Sequence, residues 1–190
     1  LKASKALTGL HFWSWGYGYL YRVKTIVNND TVTTMTGFRK TEYGKGMFRL
    51  NDRVMMIHGF AQRTSNEWPG VGMSVPAWLS DYSNNLMVKG GGNLVRWMHI
   101  TPWKQDVESC DRVGLIQAMP AGDAEADVNG VRWQQRVDLM RDAIIYNRNN
   151  PSICFYECGN HGISKEHFLQ MKSLRDSFDL NGGRAIGSRE

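Results

Sequence analysis

The sequence is short of the features that mark most small functional classes. Three cysteines, Cys110, Cys154 and Cys158, cannot make a disulfide framework. Cys154 and Cys158 stand four apart on one expected strand, as same-face neighbours poorly placed to bridge, so the cysteines read as small buried hydrophobes. No apolar run approaches the ~20 residues of a membrane span, and no signal peptide opens the chain. That removes the membrane as a partner of this segment only. No run of five or more like charges occurs. The formal net charge of +5 is spread over singly scattered Lys and Arg, which argues against a nucleic-acid partner. His99 and His161 lack a third ligand at any recognisable spacing, so no metal and no other cofactor is expected. What the chain does have is 42% hydrophobic and 11% aromatic residues, enough to fill a core.

Along the chain the pattern changes once. Residues 1 to 45 read as β structure: Leu20 to Val27 alternates, Asn28-Asn29-Asp30 makes a turn, and Thr31 to Thr36 is a second β-branched run. Phe48 to Arg53 suggests a hairpin with Asn51-Asp52 at its turn. Val54 to Ile57, ending in His58-Gly59-Phe60, reads as the first of a series of parallel strands. A loop with Trp68, Pro69, Gly70 and Gly72 leads to a helix from Pro76 to Lys89, stopped by Gly90-Gly91-Gly92. Asn93 to His99 is the second strand and holds Arg96 among Leu94, Val95, Trp97 and Met98. A short helix from Pro102 to Val113, a third strand from Leu115 to Met119 and a polar loop from Pro120 to Val131 follow. Val137, Met140, Ile144 and Ile145 recur at helical spacing. Ser152 to Cys158 is a fourth apolar strand, Ser164 opens a helix, and Arg184 to Ser188 begins a fifth strand. Strand, polar carboxyl end, helix is the unit of an α/β barrel or a doubly wound sheet, both of which carry their chemistry at that end.

The stretch Tyr146 to Ser164, YNRNNPSICFYECGNHGIS, is the most specific in the chain. RNNPSI, an aromatic and apolar strand, then GN and one polar residue resembles the fourth barrel strand of glycoside hydrolase family 2, the family of β-galactosidases, β-glucuronidases and β-mannosidases. HFWSWGYGYLYRVKTIV is similar to that family's LWSPxxPYLYxV segment, and Gly37-Phe38-Arg39 to its GFR. The stretch around Asn51 to Gly59 is similar to LNGKPVFLRG, GGGNLVRWMHI to GxNxVRxSHYP, and CDRVGL to CDExGL. The resemblance implies the last strands of an immunoglobulin-like β-sandwich over residues 1–45 and the first half of a (β/α)8 TIM barrel over 46–190. Such a barrel needs about 250 residues, and Met47 to Glu190 supplies about 144. The segment is therefore expected to be one piece of a longer polypeptide, with the second half of the barrel as its partner and the family's nucleophile beyond Glu190. Self-association stays open.

The family ends its fourth strand in Asn-Glu, with the Glu as general acid/base. Here the pair is Asn160-His161. The resemblance thus puts His161 in the catalytic position, and Asn160 where the sugar's 2-hydroxyl is held. Histidine titrates near neutral pH and can donate a proton, although it is cationic as the acid and neutral as the base. The alternative is a contact to sugar with the acid supplied from elsewhere or lost. Arg96, inside a strand, must find an anion: either an ion-pair partner or a carboxylate in the site. It and His99 match the residues that line the family's active-site floor. Glu157 alternates with positions 159 and 161 and is expected in the barrel interior about 13 Å below His161, paired with Arg96 across neighbouring strands. Trp13, Trp15, Tyr17, Tyr19 and Tyr21 read as sandwich core and interface rather than sugar platforms. Three functions compete: a retaining β-galactosidase-like hydrolase with a carbohydrate substrate, a silent carbohydrate-binding relative in which His161 replaces the acid, and a nucleic-acid or protein-binding module.

Overall fold

The computed structural model describes residues 4–63, 75–120, 122 and 126–189. The alternating segments on either side of Asn28-Asn29 fold into a hairpin, β1 (Tyr21–Val27) against β2 (Asp30–Thr36). Most of its residues are exposed, since two strands have little to bury between them. Next come β3 (Thr41–Gly44), β4 (Met47–Leu50) and β5 (Arg53–Met55), paired antiparallel in chain order. Both turns, Lys45-Gly46 and Asn51-Asp52, have positive φ at each position (52°, 71°, 49° and 68°), the geometry that lets a two-residue loop follow the twist of its strands. The expected domain division at residue 46 falls inside the first of these turns.

The first parallel strand is not where the sequence suggests. Val54 and Met55 belong to β5 and pair back onto β4, with Phe48 opposite Met55. The parallel sheet begins at β6 (Gly59–Gln62). The reason is local: the Asn51-Asp52 turn commits the residues after it to the hairpin, and Met56, 71% exposed, leaves it. A continuous apolar run cannot by itself tell a hairpin strand from a buried parallel one. The loop with Trp68, Pro69, Gly70 and Gly72 lies outside the described residues.

From here strand and helix alternate: α1 (Ala77–Lys89), β7 (Leu94–Trp97), α2 (Lys104–Val113), β8 (Ile116–Pro120), α3 (Gly130–Asn147), β9 (Ile153–Glu157), α4 (Lys165–Phe178) and β10 (Ala185–Gly187). Pro76 stands just outside α1, with the extended φ and ψ of a cap, and Ser164 caps α4 by accepting from the backbone N–H of His167 at 3.3 Å. The five strands form one parallel sheet in the order β10-β9-β8-β7-β6. This is the sheet of a TIM barrel from strand one to strand five, with its helices on one face.

The two faces of the sheet differ in kind. Toward the helices, Met119, Ile153, Tyr156 and Cys158 pack with Val137, Met140 and Ile144 of α3 and Met171 of α4, all buried. Ile145 drops out of the expected helical stripe: 100° round the helix from Ile144, it is 41% exposed. On the interior face, Leu94, Ile116, Cys154 and Phe155 meet Trp13, Phe48 and Leu50, which plug the amino end of the barrel strands. Trp13 is fully buried and donates its indole N–H to the Asp111 carbonyl at 2.8 Å, the interface role expected of it. Trp15 and Tyr17 remain 39% and 47% exposed.

A bulge sets the facing of β9. Gln117 pairs with Ile153 but Ala118 with Phe155, so Cys154 is the extra residue. Cys154 therefore lies in the interior cluster and Cys158 in the helix-side cluster, on opposite faces rather than the same one. All three cysteines are buried and free.

Candidate active site

Beyond the apolar plug, the interior positions become small or polar. In register across the sheet lie Ala61, Arg96, Ala118, Phe155 and Ala185, and one layer higher Pro120, Glu157 and Gly187. Arg96 on β7 reaches Glu157 on β9 with two hydrogen bonds of 2.5 Å, Nε to Oε2 and Nη2 to Oε1. The pairing was expected; its path was not. β7 and β9 are not neighbours, since β8 runs between them. The guanidinium passes over β8 where the register places only the methyl group of Ala118, so a small residue in the middle strand makes the pair geometrically available. The two side chains are 20% and 11% exposed, and a two-pronged fork on a carboxylate is the strongest pairing these groups make.

The same guanidinium donates from Nη2 to Oδ1 of Asn160 at 2.9 Å, and Asn160 is 7% exposed. Arg96, Glu157 and Asn160 thus form one polar cluster at the carboxyl end of the sheet, where barrel enzymes place their chemistry. Oδ1 is occupied as an acceptor, so the amide of Asn160 is fixed in orientation.

His161 does not stand on a continuing strand above Glu157. The strand ends at Glu157, the chain turns through Gly159, and the extended-chain separation of about 13 Å does not apply. A Cβ on Gly159 would come within 2.7 Å of the His161 carbonyl, which explains why glycine is needed at this turn. His161 is exposed, and its backbone carbonyl accepts from Ser188 Oγ at 3.1 Å. The end of β10 is tied to the same turn: Cys158 N–H donates to the Gly187 carbonyl at 2.9 Å and Arg189 N–H to the Gly159 carbonyl at 3.0 Å. Burial pushes the Cys158 thiol up to about 12, so it remains protonated beside the site. His99 lies two residues past the end of β7, half-buried.

Two further features escaped the sequence reading. Arg189, two residues past the end of β10, shares with Glu157 and Ser188 a cavity of 280 Å³. The rule that polar residues at strand ends line the site would have found it. The second is a cluster beside the site: His167 Nδ1 lies 2.6 Å from Asp127 Oδ1, and its ring stacks on Trp133 at 3.7 Å between centroids. Burial works to raise the Asp127 carboxyl, but hydrogen bonds from His167 and from the Ser164 N–H hold it below the usual carboxylate range. Residues far apart in sequence form this cluster, and no local motif marks it.

At the opposite end of the strands, Asp111 fastens α2 to the start of β9. It accepts from Asn150 Nδ2 at 2.6 Å, from Ser152 N–H at 3.0 Å and from Ser152 Oγ. Burial raises its carboxyl to about 6 in spite of these donors. Among the described residues no group of three His, Cys, Asp or Glu side chains is placed to hold a metal ion, and no helix is long and apolar enough to cross a membrane.

The model of the TIM barrel domain of glycosyl hydrolases family 2 matches residues 42–182. A β-glucuronidase of Formosa agariphila is 32% identical over 183 residues, which cover 93% of this chain and 19% of that protein. A β-galactosidase of Psychromonas ingrahamii is 27% identical over 180 residues, 85% of this chain and 17% of that one. Among solved structures, a β-glucuronidase from glycoside hydrolase family 2 superposes with a TM-score of 0.88 at 32% identity, over 95% of this chain and 20% of its own. A β-galacturonidase from Eisenbergiella tayi bound to galacturonate shares the fold, with a TM-score of 0.85 at 22% identity, over 96% of this chain and 34% of its own. The chain spans about a fifth of the length of the curated relatives it matches. Parallel sheet, polar carboxyl end and matched model agree: this chain belongs to glycosyl hydrolases family 2, within its TIM barrel domain.

Proposed function

We propose that the protein carrying this chain hydrolyses a terminal β-linked sugar with retention, in the manner of a β-galactosidase, and that His161 serves as its general acid/base. The observation that carries this reading is the fixed cluster of Arg96, Glu157 and Asn160 at the carboxyl end of the sheet, with His161 on the next residue, where the family places its proton donor. The named relatives, β-glucuronidases and β-galactosidases, support a β-glycoside as substrate.

In the first step a carboxylate outside the described residues forms a bond to the anomeric carbon. The bond from that carbon to the leaving oxygen breaks, and the leaving oxygen takes a proton from the His161 imidazolium. Neutral imidazole then removes a proton from the water that attacks the same carbon, which releases the carboxylate. Asn160, its Oδ1 held by Arg96, stands where the family holds the sugar's 2-hydroxyl, an interaction that strengthens in the transition state. An imidazolium near a developing oxocarbenium ion is unfavourable, and this supports a second reading, a carbohydrate-binding relative without activity.

The test is a panel of aryl β-glycosides given to the full-length protein, with the product anomer followed by proton NMR. Release of the β-anomer supports retention. Release of the α-anomer would overturn it, and binding of sugars without turnover would favour the silent relative.

A further inference from the structure

We infer that Asp127 and His167 are positioning residues for proton transfer at His161: together they clamp the far end of the turn that carries it. The inference rests on the proposed glycosidase reading and adds to it two residues that act through His161.

The turn runs from the end of β9 at Glu157 to the helix cap Ser164, with His161 in its middle. Its near half is tied to β10 and to Arg96. Cys158 N–H donates to Gly187, Arg189 N–H to Gly159, Ser188 Oγ to the His161 carbonyl, and Arg96 to Asn160. Gly162 comes next, and among the described residues a Cβ there would meet nothing within 4 Å, so the backbone has a hinge directly after His161. With the near half tied and a glycine hinge beyond it, the direction of the exposed His161 ring depends on where the turn lands.

Asp127 sets that landing point. Its Oδ2 accepts from the Ser164 N–H at 3.0 Å, and its Oδ1 lies 2.6 Å from His167 Nδ1 in the first turn of α4. The aspartate is presented from a fixed backbone: Arg136, buried on α3, donates to the Ala126 carbonyl, and Val128 packs against the helix-side core. The His167 ring is fixed as well. It stacks on Trp133 at 3.7 Å and 15°, and the Trp133 indole N–H donates to Gln170 Oε1 at 2.7 Å, further along α4. Burial works to raise the Asp127 carboxyl, but the hydrogen bonds from His167 and Ser164 hold it below the usual carboxylate range. At neutral pH it is therefore an anion that only accepts, which makes His167 Nδ1 the donor. Its charge lies at the amino end of α4, where the helix dipole favours it. Two charge-assisted hydrogen bonds thus join the segment before α3 to the residue that ends the His161 turn.

The experiment compares the full-length protein with three variants. His167→Phe keeps a ring on Trp133 and removes the donor, His167→Asn returns a donor near the place of Nδ1, and Asp127→Ala removes both acceptors. Methyl β-galactoside and β-glucuronide, whose leaving group needs a proton, are set against the nitrophenyl glycosides of the same sugars. In His167→Phe and Asp127→Ala, kcat on the methyl glycoside should fall by up to about 100-fold, the worth of a misplacement near 1 Å. KM should stay unchanged, and nitrophenyl glycosides should lose much less. His167→Asn should recover most of the loss. Equal losses on both leaving groups, a loss carried by KM, or an unchanged kcat in His167→Phe would overturn the inference and leave the glycosidase reading standing. If the wild type cleaves nothing, the glycosidase reading fails and amide hydrogen exchange decides the clamp. Faster exchange at residues 160–164 in His167→Phe, with the rest of α4 unchanged, supports it; unchanged exchange there overturns it.

Discussion

Removing the charge of Glu157 while keeping its shape should destabilise the domain strongly. Glu157→Gln leaves the Arg96 guanidinium, 20% exposed, with neutral amide oxygens as its acceptors, that of Asn160 and that of the introduced side chain, and no counter-charge. The two 2.5 Å bonds of the wild type hold a pair that is largely out of water, so the screening that makes surface ion pairs nearly worthless is small here. Breaking such a pair from one side typically costs about 3 to 5 kcal/mol, against a net stability of roughly 5 to 15 kcal/mol for a domain. For a domain of this size that is a fall in Tm of about 6 to 20 °C. Arg96→Met tests the same bond from the other side. Exchanging the two residues should recover part of the loss. Thermal unfolding of the full-length protein and its variants across pH 3 to 8 reads all of this, alongside sugar binding by calorimetry. If Arg96→Met melts like the wild type and loses only sugar binding, the ion pair does not hold the barrel together and Arg96 is a ligand for substrate.

Outcomes at three further positions can be checked independently. His161→Ala should slow glycosides with poor leaving groups by about 100- to 10,000-fold and nitrophenyl glycosides much less, since nitrophenolate departs without a proton; equal losses on both would make His161 a sugar contact. His161→Glu should move both limbs of the pH–rate profile. Asp111, raised by burial from 3.8 to about 6, binds its proton more tightly in the folded state than in the unfolded one. Its contribution is therefore present below pH 4 and is lost as pH rises to 6, by about 3 kcal/mol. The melting temperature of Asp111→Asn should be flatter over that window, and an unchanged slope would reject the assignment. Gly114, at φ 75°, lies against the amino-terminal segment, where a Cβ would come within 2.6 Å of Tyr17 N. Gly114→Ala should cost about 1 to 3 kcal/mol in a denaturant titration, and a neutral substitution would show that this contact is loose.

Much of the architecture was readable because it is written in local periodicity. The spacing of Val137, Met140 and Ile144 specifies a helix, Asn51-Asp52 a hairpin turn and Ser164 a helix cap, and each lies where expected. The run RNNPSICFYECGN identified the strand that carries Asn160 and His161 by resemblance alone. The need of Arg96 for an anion, and the identity of Glu157 as that anion, also followed from chemistry available in the sequence. What the sequence left undecided depends on which segments lie side by side. An apolar run such as Val54 to Ile57 is compatible with either of two partners, and only pairing with β4 assigns it to the hairpin. The bulge at Cys154 costs one residue of register, and that single shift places Cys154 and Cys158 on opposite faces. The path of Arg96 over Ala118, the tie between Ser188 and His161, and the cavity that Arg189 shares with Glu157 join segments separated in sequence. Tertiary structure decided them, because register and strand order are set by packing of the whole sheet against its helices, and no stretch of residues encodes that alone.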